Sequence, residues 1–126
     1  MQVRDQLQRA IGAHGMWKAR LRAALDGAGS APDPKEVARD DACDFGRWLH
    51  DPSLPAAVRA SPHYGRVKAL HARFHLCACA ALRKALAADR VGLEADLRND
   101  GAVGTASADL TREMMAWMRD QGQQAA

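Results

Sequence analysis

Between Ser61-Pro62 and Asn99-Asp100-Gly101 the sequence carries one long helical pattern, and most of what the chain can become follows from it. At about 100° of rotation per residue, Val67, Ala78, Leu82, Leu86, Leu93 and Leu97 share an apolar stripe, and His71 and His75 stand on it in place of leucines. Ser61-Pro62 is a cap followed by a helix-starting proline. The spacing predicts a helix from Pro62 to about Arg98, the longest element, with Gly92 as a weak point.

Two imidazoles four residues apart lie one turn apart on the same face, where both can converge on one metal ion. Without a metal they need hydrogen bonds or water, because an apolar stripe offers neither. The rest of the chain is therefore read for further ligands.

The chain is long enough for one domain, residues 1–126 with a core over about 3–121, and too short for two. Ala is the commonest residue, Leu and Arg are abundant, and Tyr, Phe, Ile and Thr are scarce, which favours helix and leaves little for strands. The net charge of +3 is mild, and the basic residues are scattered among acidic ones. This pattern describes solvated helix faces and no nucleic-acid footprint. No segment approaches the roughly 18 apolar residues of a membrane span, and Met1 to Gln6 lacks the apolar core of a signal peptide. A cytoplasmic protein is expected, with Cys43, Cys77 and Cys79 as thiols, ligands or redox sensors instead of a disulfide framework.

Val3, Leu7, Ile11, Leu21 and Leu25 recur at helical spacing, and His14 falls on the same face, so a first helix over about 3–25 points His14 inward. The stretch from Asp26 to Pro34 is a loop rich in Gly, Ala, Ser and Pro. Asp33-Pro34-Lys35-Glu36 then combines a capping Asp, a first-turn Pro and a Glu three residues after the cap, and starts a second helix running to about His50. A short helical turn is expected between Pro52 and Pro62. After the long helix, Val103, Leu110, Met114 and Trp117 mark the buried face of a last helix from about Ala102 to Gln121, with a fraying tail beyond. Four long amphipathic segments with short loops predict an all-α antiparallel four-helix bundle, with that short extra turn between the second and third long helices.

His14, His71 and His75 thus face the core from two helices, and a thiolate would complete a tetrahedral zinc site of the kind bundle cores can hold. Sulfur with nitrogen donors favours zinc over magnesium or calcium. Two cysteines compete. On an ideal wheel Cys43 sits with Glu36, Arg39, Arg47 and His50, away from Val37, Phe45 and Trp48, so it enters the core only if the helix is irregular near Gly46 or buries a second face. Cys79 extends the His71, His75 ladder by one turn, whereas Cys77 points away. Four protein ligands leave no open position for a catalytic water, which favours a structural or sensory site.

Three segments, His14-Gly15-Met16-Trp17-Lys18, Cys43-Asp44-Phe45-Gly46-Arg47-Trp48-Leu49 and His71-Ala72-Arg73-Phe74-His75, resemble in order and spacing the motifs of the chemoreceptor zinc-binding (CZB) domain family. The resemblance runs over about Ile11 to Trp117. It implies a cytoplasmic helical domain, commonly a homodimer, that holds zinc through His14, Cys43, His71 and His75. It also implies a partner, since such domains accompany chemoreceptors and diguanylate cyclases and link zinc occupancy or cysteine oxidation to signalling. Neither a methyl-accepting coiled coil nor a cyclase domain is present in this sequence.

His50 and His63, beside helix boundaries, are read as surface residues, and Trp17, Phe45, Trp48 and Phe74 as packing around the ligand helices. Met114, Met115 and Met118 with Trp117 are read as core or dimer interface. The zinc sensor is taken to have no catalytic activity. The rival readings are a bundle-type metalloenzyme, which needs an open coordination position or a nearby acid, and a metal-free helical interaction module.

Overall fold

The computed structural model describes residues 2–27 and 31–125, and among these the chain forms helices and no strands. Among the described residues eight helices follow in order: α1 Val3–Gly15, α2 Trp17–Leu25, α3 Pro34–Val37, α4 Asp44–Leu49, α5 Ala56–Arg59, α6 Pro62–Leu86, α7 Arg90–Leu97 and α8 Ala102–Ala125. The helical bundle predicted from composition and apolar spacing forms around α6. This helix packs along α8 and is flanked by α2, α3 and α7, while α1 lies against α8 and α4. Leu7, Leu21, Val67, Phe74, Ala78, Leu82, Leu93, Leu97, Leu110, Met114 and Trp117 fill the interior, each 2% exposed or less. Burial on this scale is the main stabilising term of the fold.

Three of the expected long helices are shorter than the sequence pattern suggested. The first breaks at Met16, whose N–H closes a tight turn onto the Ala13 carbonyl at 3.2 Å before α2 resumes. Gly15, a weak helix former, immediately precedes the break.

The second expected helix, Asp33 to His50, is not continuous. Asp33 caps α3 as predicted, accepting the Lys35 N–H at 3.0 Å, but the chain leaves the helix after Val37 and bends from Asp40 to Cys43. It starts again with Cys43 as the cap of α4, in an extended conformation with φ −79° and ψ 163°. The sequence offers no Gly or Pro in that interval, so no local signal marked the stop.

The third expected helix ends at Leu86 instead of Arg98. Ala88 adopts φ 58°, a left-handed conformation that ends α6, and Asp89 then caps α7 by accepting the Gly92 N–H at 2.9 Å. Gly92 is thus the partner of a new helix cap, downstream of the break. Leu86, placed on the core stripe by its spacing, is half exposed as a consequence. The extra turn expected between Pro52 and Pro62 is α5, and α8 continues through Ala125, past Gln121.

Candidate metal centre

The break after Gly15, the bend before α4 and the middle of α6 meet at one place. His14 comes from the last turn of α1, Cys43 from the cap of α4, and His71 with His75 from α6. One nitrogen from each ring and the Cys43 Sγ all lie within 4.8 Å of one another. His75 Nε2 is 3.0 Å from His71 Nε2, and Cys43 Sγ is 3.4 Å and 3.6 Å from the same two atoms. The distances from these contacts are close to the roughly 3.3–3.8 Å edges of a tetrahedral zinc site with nitrogen and sulfur ligands.

Backbone carbonyls decide which nitrogens face inward. His14 Nδ1–H donates to the Ala10 carbonyl at 2.8 Å, and His75 Nδ1–H donates to the Val37 carbonyl at 2.9 Å. With the outer nitrogen of each ring protonated, the Nε2 of His14 and of His75 carries a lone pair. His71 has no such carbonyl, and its buried Nδ1 is without a hydrogen-bond partner. Buried lone pairs and a partly buried thiol gathered at one point fit a cation that takes nitrogen and sulfur donors, and zinc is the metal of that chemistry.

Burial sets the charge state. His71 is 0% exposed, His75 3% and His14 6%. Burial, reinforced by the neighbouring His75 and then His14, pushes the His71 imidazole down to about 2. Burial likewise takes His14 down to about 4, against the opposing pull of the Ala10 carbonyl. His75 is lowered by burial too, offset by the Val37 carbonyl and Asp40 and deepened by Arg20. All three rings are therefore neutral at pH 7, the form that ligates metal. The partly buried Cys43 thiol is raised by burial, with the N–H groups of Gly46 and Phe45 working the other way. The Gly46 N–H donates to Cys43 Sγ at 3.3 Å.

Aromatic side chains wall the site, as expected. Phe45 meets His71 edge-on at 5.3 Å between centroids, Phe74 meets His14 at 5.2 Å, and Trp48 stacks on Phe45 at 5.7 Å. Trp17 backs Phe74 at 6.5 Å. An open cleft of about 630 Å³ reaches Cys43, His14 and His75 from the surface.

The structure separates the two rival thiols. Cys79 is buried one turn beyond His75, but its S–H donates to the Pro34 carbonyl at 3.2 Å and it does not join the group. Cys77 is partly buried against the core. Among the described residues no carboxylate joins the group either: Asp40 pairs with His50 at 3.3 Å, Asp41 with Arg39 at 3.1 Å, and Asp44 with Arg47.

His63 departs from the surface role expected of it. Its side chain is 12% exposed and lies between Glu113, 2.5 Å from Nδ1, and Asp120, 2.8 Å from Nε2. Both carboxylates sit on α8, two turns apart, so the one available signal was their seven-residue spacing on the helix. The Val37 and Ala10 carbonyls were also beyond sequence reasoning, because backbone acceptors carry no residue-type signature.

Among the described residues no helix is long and apolar enough to cross a membrane. A family model described as the chemoreceptor zinc-binding domain matches residues 14–82, a span that begins at His14 and includes Cys43, His71 and His75. No curated protein and no solved structure matches the chain at a significant level.

Proposed function

The chain belongs to the chemoreceptor zinc-binding domain family, and on that premise we propose that it is a zinc-dependent sensor in which His14, Cys43, His71 and His75 are the ligands. The observation that carries this reading is the convergence of three neutral, buried imidazoles and one thiol within 4.8 Å. Zinc bound there would hold Cys43 as a thiolate and tie three helical segments together. The Ala10 and Val37 carbonyls orient two of the rings, and Phe45 and Phe74 keep water from the buried side.

Four protein donors fill a tetrahedral shell, which supports a regulatory role over catalysis. The signal is a change at Cys43, the least buried of the four. Hypochlorous acid oxidises its sulfur by two electrons to sulfenic acid and is itself reduced to chloride. The sulfenic acid is a weaker donor than the thiolate, so a zinc held by these residues would lose its tie to Cys43, and the cap of α4 would no longer be anchored to His71 and His75 of α6. The bend from Asp40 to Cys43 can then move as a unit, and site chemistry becomes helix geometry. The same movement can report zinc supply directly. We further read the chain as one domain over residues 1–126, placed in the cytoplasm, working as a homodimer and passing its state to a chemoreceptor or diguanylate cyclase partner. Family membership supports this reading.

The test is zinc content and zinc affinity of the reduced protein beside His71→Ala and Cys43→Ala. The expected result is one zinc per chain, lost in His71→Ala and weakened in Cys43→Ala, with oxidant-triggered release only when Cys43 is present. A protein that takes up no zinc at neutral pH would sink the proposal.

A further inference from the structure

The cleft beside Cys43 is unevenly charged. Arg9 from α1, Arg20 from α2 and Arg47 from α4 line it, against a single carboxylate, Asp44. Arg47 pairs with Asp44 and also donates to the Ala42 carbonyl at 2.5 Å, so part of its charge is committed. Arg20 lies over the Trp17 ring, 4.0 Å from its centroid, which holds this guanidinium at the cleft wall. The cleft ends on Cys43, His14 and His75, and of these Cys43 alone is more than marginally exposed. A solute entering from water meets the sulfur first.

We propose that this cleft is a docking site for small carboxylate-bearing thiols and disulfides, with the carboxylate held by the arginines and the ligand sulfur facing Cys43. This deepens the sensor reading and rests on Cys43 being the outward member of the zinc site. Guanidinium groups match carboxylates through paired hydrogen bonds. A cleft in which one sign of charge predominates, between apolar walls such as Trp17 and Phe45, raises the local concentration of the opposite sign. A volume near 630 Å³ is within the ordinary range for small-ligand sites. Neutral molecules, hypochlorous acid among them, gain nothing from this field and are not excluded by it, so the cleft favours anions over neutral reagents of the same size.

The experiment uses the full chain, metal-free and reduced, and compares alkylation by iodoacetate and by iodoacetamide, resolved by peptide at Cys43 and Cys77. In both reactions the thiolate forms a sulfur–carbon bond and iodide leaves with the electron pair of the broken carbon–iodine bond. The ratio of the two rates cancels any change in the thiolate fraction and isolates reagent charge. The expected ratio of iodoacetate to iodoacetamide is about tenfold higher at Cys43 than at Cys77 in low salt, within the range of steering effects. It falls toward the Cys77 value as salt rises to about 1 M. In the Arg9→Gln/Arg20→Gln protein the Cys43 ratio drops by a similar factor while zinc content is unchanged. Equal, salt-independent ratios at the two cysteines of the wild-type chain overturn the proposal, and that measurement depends on no variant. Zinc affinity is read separately, so a zinc-binding protein whose Cys43 ignores reagent charge discards the docking site alone. A charge-sensitive Cys43 in a protein that takes up no zinc discards the zinc ligation alone.

Discussion

At the scale of single residues, the site is prepared by how protons are distributed over three rings. The Ala10 and Val37 carbonyls hold the Nδ1 protons of His14 and His75, and burial keeps all three imidazoles neutral. That neutrality has a consequence for the metal-free protein. An unfolded histidine takes up a proton near pH 6.5, whereas folded His14 waits until about 4 and His71 until about 2. Below pH 6.5 the unfolded state therefore binds more protons, and stability falls as pH falls. The slope is about 1.4 kcal/mol per pH unit for each ring that stays neutral in the fold. Urea unfolding of the metal-free chain from pH 7.5 to 4.5 is expected to show this decline, and His14→Phe to flatten it by about one ring's share. A flat profile for the wild type would mean that the rings are not held neutral by burial. Over the same interval the folded rings stay neutral. The Cys43 thiol, raised by burial, is the donor that would have to release a proton to bind zinc, so zinc affinity is expected to fall as pH falls.

At the scale of elements, the parts legible in the sequence were those written in periodicity and caps. The inward faces of α1, α6 and α8, the Asp33 and Ser61 caps and the turn at α5 were all readable. The bend that delivers Cys43 was not, because it is stabilised by contacts distant in sequence or made by backbone. Gly46 shows why: its α-carbon sits so close to the Asp40 carbonyl that a Cβ there would overlap it. Glycine is required for that approach, and the sequence marks Gly46 as a place where the helix can turn irregular. The break itself falls earlier, between Val37 and Asp44, where no Gly or Pro marks it. Gly46→Ala is expected to cost about 1–3 kcal/mol in urea unfolding, as overpacked sites do. It should also weaken zinc binding about tenfold or more, since the shift falls on the cap that carries Cys43; an unchanged affinity would separate the bend from the site. His63 illustrates the same blindness between α6 and α8, its partners lying 50 and 57 residues away. The bond to Glu113 raises its pKa above the ordinary 6.5, against burial, with Asp120 adding to the rise. A raised folded pKa means the clasp's contribution is fully present below pH 6.5 and is lost as pH rises through the folded value. Above that value a neutral ring has one N–H for two carboxylates. The stability difference between wild type and His63→Gln should accordingly shrink with rising pH, and a difference that grows would contradict the charged clasp.

At the scale of the whole molecule, the histidine–cysteine cluster and the clasp divide the labour of holding α6 in place. The clasp joins the start of α6 to the middle and far half of α8, and the His14, Cys43, His71 and His75 cluster joins the middle of α6 to the cap of α4 and the end of α1. Between them lies an apolar interior that includes Val67, Phe74, Leu110, Met114 and Trp117, each 1% exposed or less. This core binds α6 to α8 without any help from metal. Removing zinc is therefore expected to loosen one side of the bundle and leave the other folded. A ligand that binds only the native state at a hundred times its dissociation constant adds about 2.7 kcal/mol. For a chain of this size that corresponds to a melting shift of roughly 10 °C. Calorimetry with and without a chelator should show a shift of that order. Hydrogen exchange should lose protection from Ala10 to Gly15, from Val37 to Leu49 and around His71 to His75, while Leu110 to Trp117 stays protected. Loss of protection spread evenly over α8 would mean that zinc holds the bundle as a whole, and the local release of α4 could not then serve as the signal. Protection lost only near the site would leave a rigid α6–α8 pair against which the bend at Cys43 moves, as a sensor that reports through helix geometry requires.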